Sequence, residues 1–355
     1  MAIQTTTGDL LTAEAEALVN TVNCVGVMGK GIALQFKKKW PAAFKEYKKA
    51  CDKKELRPGN MLVYDLGQLA EKPYYLIHFP TKDHWRGKSQ VEYITEGLKS
   101  LAETIQTLKI KSIAIPPLGC GNGGLQWELV QQLIHDALAP ISDSVDIQIF
   151  APKGAPAAKD IAIKTEAPKM TSGRAILIQL IASYQRLGYS LSKIEVQKLC
   201  YFAQEAGQPL RLNYSKNQFG PYADNLRHVL NRIDGHFVEG VGDHDTSEMA
   251  LRLKAGALEK STDFLKDDHE SLERLKKVNE IIEGFETPLG MELLATVHWI
   301  ASRNHVQDSD EIMKGINDWE PSRPEWNKRK SSLMTKSHVQ AALQQLQLHA
   351  WLSEA

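Results

Sequence analysis

An apolar run that meets three closely spaced glycines constrains the fold of this chain more than any other feature. Residues 17–36 read ALVNTVNCVGVMGKGIALQF, in which small and β-branched residues precede Gly26, Gly29 and Gly31. The pattern predicts a strand, a turn and the start of a helix. Glycines let a backbone approach a ligand closely, and the N–H groups at a helix start favour an anion. The stretch predicts an anion-binding loop, although a turn that merely needs glycine is the more frequent origin of a single such pattern.

Length and composition predict a globular chain of two domains. The 355 residues are 43% hydrophobic and 24% charged, with a formal net charge of zero, and are too many for one compact core. We find no signal-like N-terminal run and no apolar stretch long enough to cross a bilayer, so we expect a cytoplasmic protein with no membrane partner. Cys24, Cys51, Cys120 and Cys200 lack CxxC spacing, which predicts reduced thiols and no metal site.

The first half of the chain alternates short apolar runs with longer amphipathic segments, which is typical of an α/β layer domain. Runs of strand length occupy residues 3–6, 17–22, 61–65, 74–79, 112–115 and 146–150. Segments with apolar residues three or four apart, as in helices packed on a sheet, occupy residues 31–39, 42–51, 92–108 and 126–138.

The second half of the chain is predicted to be mainly helical. Residues 151–169 are rich in proline, alanine and lysine and show no period, which indicates a linker or an edge extension. Ser192 and Glu195 have the spacing of a capping box. Helices are predicted at residues 171–188, 192–206, 223–233, 270–283, 289–302 and 338–349. We therefore expect a first domain at 1–155, a linker at 156–169 and a helical domain at 170–355.

Two polar segments follow predicted strands and carry candidate chemistry. Asp9 follows the first strand and could accept a hydrogen bond from the amine of adenine, although a turn or helix cap explains a lone Gly-Asp pair more simply. Residues 78–86, HFPTKDHWR, place Lys82, His84, Trp85 and Arg86 at a strand end. The amine of a desolvated lysine loses its proton more readily and can attack a sugar C1 carbon to give a Schiff base. An exposed basic turn is the ordinary alternative.

A second glycine loop lies in residues 116–127, PPLGCGNGGLQW. Its glycines satisfy GxGxxG, but a dinucleotide-binding turn is unexpected because the motif follows at least four strands and Lys153 stands where an acidic residue is needed. A Walker loop is excluded because Gly29-Lys30 is followed by Gly31 and not by Ser or Thr. The remaining interpretation is that the two glycine loops close on one pyrophosphate from opposite sides. This mode of binding requires no metal and no cofactor.

Together these motifs resemble those of a known family. GDLL at residues 8–11, VNTVNCVGVMGKGIA at 19–33 and PPLGCGNGGLQW at 116–127 resemble the ligand-binding segments of the macrodomain, an ADP-ribose-binding module. With HFPTKDHWR, the chain is similar to the branch of the terminal ADP-ribose glycohydrolase, and within it to antitoxins paired with a DarT-like toxin. Residues 195–230 resemble the toxin-binding domain of those antitoxins. The resemblance implies a three-layer α/β/α macrodomain with a mixed central sheet, followed by a mainly α-helical domain.

The resemblance also implies roles for individual residues. Asp9 and Leu10 would hold the adenine, and Asn20 and Asn23 would face the distal ribose. One side of the pyrophosphate would be cradled by Met28, Gly29, Lys30, Gly31, Ile32 and Ala33. The other side would be closed by Leu118, Gly119, Cys120, Gly121, Asn122, Gly123, Gly124 and Leu125. Lys82 would attack the C1 carbon of the distal ribose and displace the base to which the ADP-ribose is linked.

The implied substrate is ADP-ribosylated single-stranded DNA, most often modified at thymidine, and ADP-ribose is the ligand. The second domain would bind and inhibit the cognate DarT-like DNA ADP-ribosyltransferase toxin. The enzyme class implied is a DNA ADP-ribosylglycohydrolase, a hydrolase of N-glycosyl bonds that reverses DNA ADP-ribosylation as a form of DNA repair.

One position departs from the family pattern. The related glycohydrolase has an aspartate two positions before Leu-Gln-Trp, where this chain has Gly123. General acid–base help is usually worth ~100-fold or more in rate. His84 and a water held by Asn23 are the candidate substitutes, so Lys82, Asn23 and His84 form the predicted catalytic set.

Two alternatives fit the same motifs. In one, the first domain binds ADP-ribose without cleaving it, and the helical domain alone neutralises the toxin. In the other, the lysine chemistry acts on ADP-ribose esters of protein glutamate. Gly123 slightly favours the first alternative, whereas Lys82 within TKDHWR favours hydrolysis more strongly.

Overall fold

The computed structural model describes residues 3–67, 71–152, 163–185, 191–241 and 251–352. The chain divides into two compact units, Met1–Glu166 and Ala167–Ala355. The first half of the predicted linker, residues 156–162, lies outside the described residues.

In residues 3–67 and 71–152, strands and helices alternate along the first unit. The strands are β1 (Ile3–Thr6), β2 (Ala17–Asn23), β3 (Leu62–Asp65), β4 (Tyr75–Lys82), β5 (Ser112–Ile115) and β6 (Asp146–Phe150). The helices are α1 (Gly31–Lys39), α2 (Pro41–Asp52), α3 (Val91–Thr107) and α4 (Trp127–Leu138). Each predicted element of this half is confirmed within a few residues, and β4 continues three residues further than predicted, to Lys82.

The strands form one mixed sheet in the order β1-β6-β5-β2-β4-β3. Strand β3 is antiparallel to β4, and the other neighbours are parallel. Because parallel strands point the same way, the loops after β2, β4 and β5 leave from one edge of the sheet. The sheet order therefore brings together segments that are far apart in the sequence.

Helices cover both faces of this sheet. Successive side chains of a strand point to opposite faces, and β2 shows the consequence. Leu18 packs with Phe36 of α1 on one face. Val19 packs with Leu98 of α3 and Ile134 of α4 on the other. The predicted three-layer α/β/α architecture with a mixed sheet is confirmed.

The second unit is mainly helical in residues 167–185, 191–241 and 251–352, as predicted. Its helices are α5 (Ser172–Gln185), α6 (Lys193–Glu205), α7 (Leu226–Ile233), α8 (Ala257–Leu265), α9 (His269–Ile282), α10 (Pro288–Asn304), α11 (Ser309–Asn317), α12 (Pro324–Leu333) and α13 (Lys336–Leu348). Its short strands are β7 (Tyr214–Asn217), β8 (Gly220–Ala223), β9 (Val238–Glu239) and β10 (Arg252–Leu253).

Several details of the second unit differ from the sequence prediction. The predicted helix start at residue 223 is wrong, because Ala223 ends β8 and α7 begins at Leu226. Helices α8, α11 and α12 and the β7–β8 hairpin were not predicted. The end of the helix predicted at 171–188 lies outside the described residues beyond Gln185. At the start of α6, the Ser192 N–H donates to Glu195 Oε2 at 2.6 Å, as a capping box requires.

Among the described residues, none of the helices is both long and apolar enough to cross a bilayer.

Candidate functional site

The loops after β2, β4 and β5 meet at one edge of the sheet. Asn23, the last residue of β2, is in register with Lys82, the last residue of β4. The Lys82 amine donates a hydrogen bond to the carbonyl of Asn122 in the loop after β5. A Cβ built on Gly31 would lie 3.8 Å from Asn122 Nδ2, so the two glycine loops face each other closely. The structure thus brings together three of the motifs that the sequence singled out.

The start of α1 has the properties of an anion site. Gly31 has φ of 60°, a left-handed conformation that favours glycine. The N-cap residue Lys30 provides no side-chain hydrogen bond to the first turn of α1. The positive end of the helix dipole and backbone N–H groups therefore face the gap between the loops.

Asn23 holds the first glycine loop in shape through its side-chain amide. Its Oδ1 accepts hydrogen bonds from the backbone N–H groups of Val25 at 3.1 Å and Val27 at 3.3 Å, and its Nδ2 donates to the Val27 carbonyl at 2.5 Å. The Tyr47 hydroxyl donates to the Asn23 carbonyl at 2.7 Å. Because Oδ1 is already an acceptor for this loop, the structure gives Asn23 a positioning role. The predicted catalytic water on Asn23 has no direct support in this geometry.

Asn20 lies beneath the loop and not on its surface. Its side chain is completely buried, with Nδ2 3.2 Å from His78 Nδ1 and 3.9 Å from the Met28 sulfur. Burial lowers the pKa of His78 to about 4, so its imidazole is neutral at pH 7. A distal ribose could contact Asn20, as predicted, only if residues that bury this side chain moved. Strand alternation explains the position, because Asn20 shares its face of β2 with buried Leu18 and Val22.

The second glycine loop is closed by its own backbone. The Leu125 N–H donates to the Gly119 carbonyl at 3.1 Å, and the Gly124 N–H donates to the Gly121 carbonyl at 3.1 Å. Gly119 and Gly124 have φ of 71° and 82°. In the same loop, burial and Glu128 raise the pKa of Cys120 to about 11, so its thiol is neutral and a poor nucleophile at pH 7.

Gly123 has no space for a side chain. A Cβ at this position would lie 2.1 Å from the Gly119 carbonyl oxygen and 2.3 Å from Ser89 Oγ. The Ser89 N–H also donates to the Gly123 carbonyl at 3.1 Å, which ties the loop to the segment before α3. The local backbone therefore leaves no room for an aspartate at this position. A single substitution at Gly123 cannot restore it without moving the loop.

We expect Gly123→Asp to lower the free energy of unfolding of the first unit by about 1–3 kcal/mol, the usual cost of overpacking. The reason is the close approach of its Cβ to Gly119 and Ser89. Gly121→Asp is the matched control, because a Cβ at Gly121 has nothing within 4 Å and the added charge is the same. Urea unfolding of both full-length variants provides the measurement. Equal stability of the two variants would contradict the steric explanation.

Lys82 combines exposure to the cleft with partial desolvation. It is half-buried, and burial lowers the pKa of its amine below the ordinary 10.5. The hydrogen bond to Asn122 directs the amine towards the second glycine loop. Lowering the pKa increases the fraction of neutral amine, which is the nucleophilic form.

His84 lies in the exposed turn after Lys82. Its ring stacks on Trp85 with centroids 5.6 Å apart, and its Nδ1 accepts a hydrogen bond from the Arg86 N–H at 3.2 Å. When the ring accepts at Nδ1, its proton lies on Nε2.

The predicted adenine residues lie after β1. Asp9 caps a short 3-10 helix, Leu10–Thr12, by accepting a hydrogen bond from the Leu11 N–H at 2.9 Å. The structure thus shows the helix cap that sequence reasoning had favoured. Leu10 is buried. The Lys39 amine donates to the Leu11 carbonyl at 2.6 Å, and burial lowers the pKa of Lys39 although the Asp9 charge opposes this shift.

The sequence analysis assigned no role to three residues that support the site: Tyr47, His78 and Ser89. Tyr47 holds Asn23, His78 contacts Asn20, and Ser89 fills the space beside Gly123. None of the three belongs to a local glycine motif, so only their tertiary contacts reveal them. The described residues contain no group of three or more His, Cys, Asp or Glu side chains that could hold a metal ion.

Comparisons with known proteins identify the family. The Macro domain family matches residues 19–134. A Thermus aquaticus protein named DNA ADP-ribosyl glycohydrolase is 44% identical over 339 residues, which cover 96% of this chain and 91% of the relative. A Thermosipho africanus protein named DNA ADP-ribosyl transferase-DNA ADP-ribosyl glycohydrolase fusion protein is 35% identical over 160 residues, 41% of this chain and 40% of the relative. The solved macrodomain of Mycobacterium tuberculosis DarG is 52% identical and covers 43% of this chain and all of that structure, with a TM-score of 0.41. The match to the Thermus protein extends over both units, so this chain belongs to the DNA ADP-ribosyl glycohydrolase (DarG) family.

Proposed function

We propose that this chain is a two-part antitoxin. The first unit removes ADP-ribose from DNA, with ADP-ribosylated thymidine in single strands as the substrate, and the second unit binds and inhibits a DarT-like DNA ADP-ribosyltransferase. The observation that carries the proposal is the Lys82 amine, partly desolvated and held on the Asn122 carbonyl where the two glycine loops meet. Membership of the DNA ADP-ribosyl glycohydrolase family supports the reaction class.

Binding of ADP-ribose rests on the two loops. The first turn of α1 and the backbone of residues 28–33 offer N–H groups to the pyrophosphate on one side, and residues 118–125 approach it from the other. Glycine at these positions lets the backbone come close to the phosphates. The charge of the ligand is met by backbone N–H groups and the helix dipole, so this mode of binding needs no metal ion.

Hydrolysis begins with the neutral form of Lys82. Its nitrogen lone pair attacks the C1 carbon of the distal ribose, the bond from C1 to the DNA base breaks, and the base leaves with that electron pair and takes a proton. The lysine adduct opens to a Schiff base as the ring oxygen gains a proton. Water then adds to C1 and releases the lysine. The net products are free ADP-ribose and the unmodified base.

The leaving base needs a proton, and Gly123 supplies none. His84, in the same turn as Lys82, is the proposed donor. It can give a proton from Nε2 only when Nδ1 is also protonated and has released the Arg86 N–H. Asn23 and Tyr47 contribute by holding the first glycine loop in position. In this scheme Lys82 carries the covalent step, His84 transfers protons, and Asn23 positions the loop.

Two observations support a toxin-binding role for the second unit. The Thermus aquaticus relative matches 96% of this chain, so its similarity includes the helical unit as well as the macrodomain. The Thermosipho africanus relative, which matches 41% of this chain, is named as a fusion of a DNA ADP-ribosyl transferase with a DNA ADP-ribosyl glycohydrolase. A physical pairing of the two activities therefore has a precedent in the family.

The test is to incubate the full chain with single-stranded DNA that carries ADP-ribose on thymidine and to measure released ADP-ribose. We expect release with recovery of unmodified DNA. Binding of ADP-ribose without release would favour the non-catalytic alternative, and release from glutamate esters alone would favour the protein substrate. In a second arm, the Lys82→Ala chain is added while the toxin modifies DNA. If the toxin is still inhibited in this arm, inhibition does not depend on the reaction of Lys82 and comes from another part of the chain.

A further inference from the structure

An exposed tryptophan follows the candidate nucleophile. Trp85 is 41% exposed, whereas Trp319 in the other unit is fully buried. The His84 ring stacks on Trp85 with an angle of 29° between the planes, and the Arg86 guanidinium carbon lies 4.6 Å from the indole centroid. Packing of the macrodomain core does not use this indole.

The turn that carries Trp85 is held beside the candidate site. The Gly87 N–H donates to the His84 carbonyl at 2.9 Å, and the Cys24 N–H donates to the Asp83 carbonyl at 3.0 Å. The second of these bonds joins the turn to the first glycine loop, where Val25 and Val27 are also exposed. Apolar surface is thus presented by both segments that flank Lys82. Such surface next to a reacting group suggests contact with a substrate.

The chemistry of this turn suits single-stranded nucleic acid. Every base has a π-face, and aromatic side chains that stack on bases bind single strands with little regard to sequence. Lys82, Arg86 and Lys88 outnumber Asp83 as charges within the turn, which favours phosphate. A glutamate ester on a protein has no ring to stack. The combination of an exposed indole with cations therefore favours DNA over protein as the carrier of ADP-ribose.

We propose that Trp85, supported by the His84 ring, stacks on the DNA base next to the modified one and so selects single-stranded DNA. This inference rests on the proposed function of the Lys82 site. The neighbouring base takes the place of the Arg86 guanidinium over the indole, and Arg86 then pairs with a backbone phosphate. Stacking of the neighbour directs the modified nucleotide towards Lys82.

The experiment compares the full chain with its Trp85→Ala and Trp85→Phe variants on two substrates. On an ADP-ribosylated oligonucleotide, we expect Trp85→Ala to lower kcat/KM roughly 10-fold, mainly through KM, because one stacked base is lost. Trp85→Phe keeps an aromatic face and should recover most of the loss. On ADP-ribosylated thymidine without neighbours, Trp85→Ala should lower kcat/KM much less than on the oligonucleotide, because the His84 ring loses its stacking partner in both cases but a stacked base is lost only on the oligonucleotide. Affinity for free ADP-ribose should be unchanged.

The outcomes separate this inference from the proposed function. If wild type releases ADP-ribose and Trp85→Ala is as efficient on the oligonucleotide, the stacking inference alone is overturned. An equal loss on the single nucleoside would also overturn it, since no neighbouring base is present. If wild type releases no ADP-ribose, the proposed function fails. The stacking inference is then decided by fluorescence anisotropy, which measures the binding of wild type and Trp85→Ala to unmodified oligothymidine. Roughly 10-fold weaker binding by Trp85→Ala would support stacking, and equal binding would exclude it.

Discussion

Replacing Lys82 by alanine should reduce the release of ADP-ribose from DNA by roughly 10³-fold or more, the scale on which loss of a nucleophile slows other enzymes. The alanine variant has no amine to form the bond to C1, and the described site offers no thiol in the reactive state, because burial raises the pKa of both Cys24 and Cys120. The pyrophosphate contacts come from backbone, so affinity for ADP-ribose should change little. Release assays and calorimetry with the full chain measure the two quantities.

Lys88→Ala is the control for this prediction. Lys88 is exposed in the same segment and carries the same charge, so its loss reports any general electrostatic effect on DNA binding. A borohydride reagent should also trap a covalent adduct of ADP-ribose with wild type and Lys88→Ala but not with Lys82→Ala. Full activity of Lys82→Ala would exclude the covalent mechanism.

The pH profile gives an independent readout of the same lysine. Only the neutral amine attacks, so in a His84→Ala background, where no general acid titrates beside it, the rate should rise with pH as Lys82 loses its proton and level off above its pKa. Because burial lowers that pKa, the plateau should begin below the ordinary lysine value of 10.5. A rise that continued to pH 10.5 would indicate a fully solvated amine.

Replacing Glu292 by glutamine should lower the free energy of unfolding of the second unit by about 3–5 kcal/mol, the usual cost of leaving a buried charge without its partner. Glu292 lies on α10 and is buried. Its Oε1 and Oε2 accept from Arg329 at 2.8 and 3.0 Å, and Lys330 donates to Oε1 at 2.7 Å. Glutamine keeps the shape of the side chain and removes the charge that compensates these two cations.

Glu270→Gln is the matched control for Glu292. Glu270 also pairs with an arginine, Arg274, at 2.7 Å, but its side chain is exposed, so its loss should cost only about 0–1 kcal/mol. Urea unfolding of both full-length variants, followed by helix content, measures the difference. Similar midpoints for the two variants would show that the Glu292 cluster is not needed for stability. Release of ADP-ribose by the first unit should be retained in both.

The predicted runs at residues 3–6, 112–115 and 146–150 coincide with β1, β5 and β6. The strand β5, SIAI, was readable because it is short, mostly apolar and buried along its whole length, whereas β1, IQTT, is partly exposed. Parallel strands covered on both faces appear as continuous apolar segments, so their positions need no knowledge of the partners. The order β1-β6-β5-β2-β4-β3 depends on pairings between distant segments and was not predicted.

The β7–β8 hairpin shows why the second unit was harder to read. Its sequence, YSKNQFGPYA, is polar and contains Gly220-Pro221, which weakens any strand prediction. Its support comes from elsewhere in the chain. Lys198 donates to the Pro221 carbonyl at 2.6 Å, and the Trp319 indole N–H donates to the Asn217 carbonyl at 2.9 Å. Contacts from residues that lie 23 and 102 positions away stabilise a segment whose local preference is weak.

The groups available at the site could be read from the sequence alone: two glycine loops, a lysine at a strand end and the absence of an acid at position 123. These features are local, because backbone conformation and side-chain chemistry depend on the residues themselves. How these groups are arranged depends on the tertiary fold. The fold buries Asn20 against Met28, commits Asn23 to the first glycine loop, lowers the pKa of Lys82 and places Ser89 where a side chain at Gly123 would lie. Burial and steric exclusion arise between residues far apart in sequence, so no local pattern reports them.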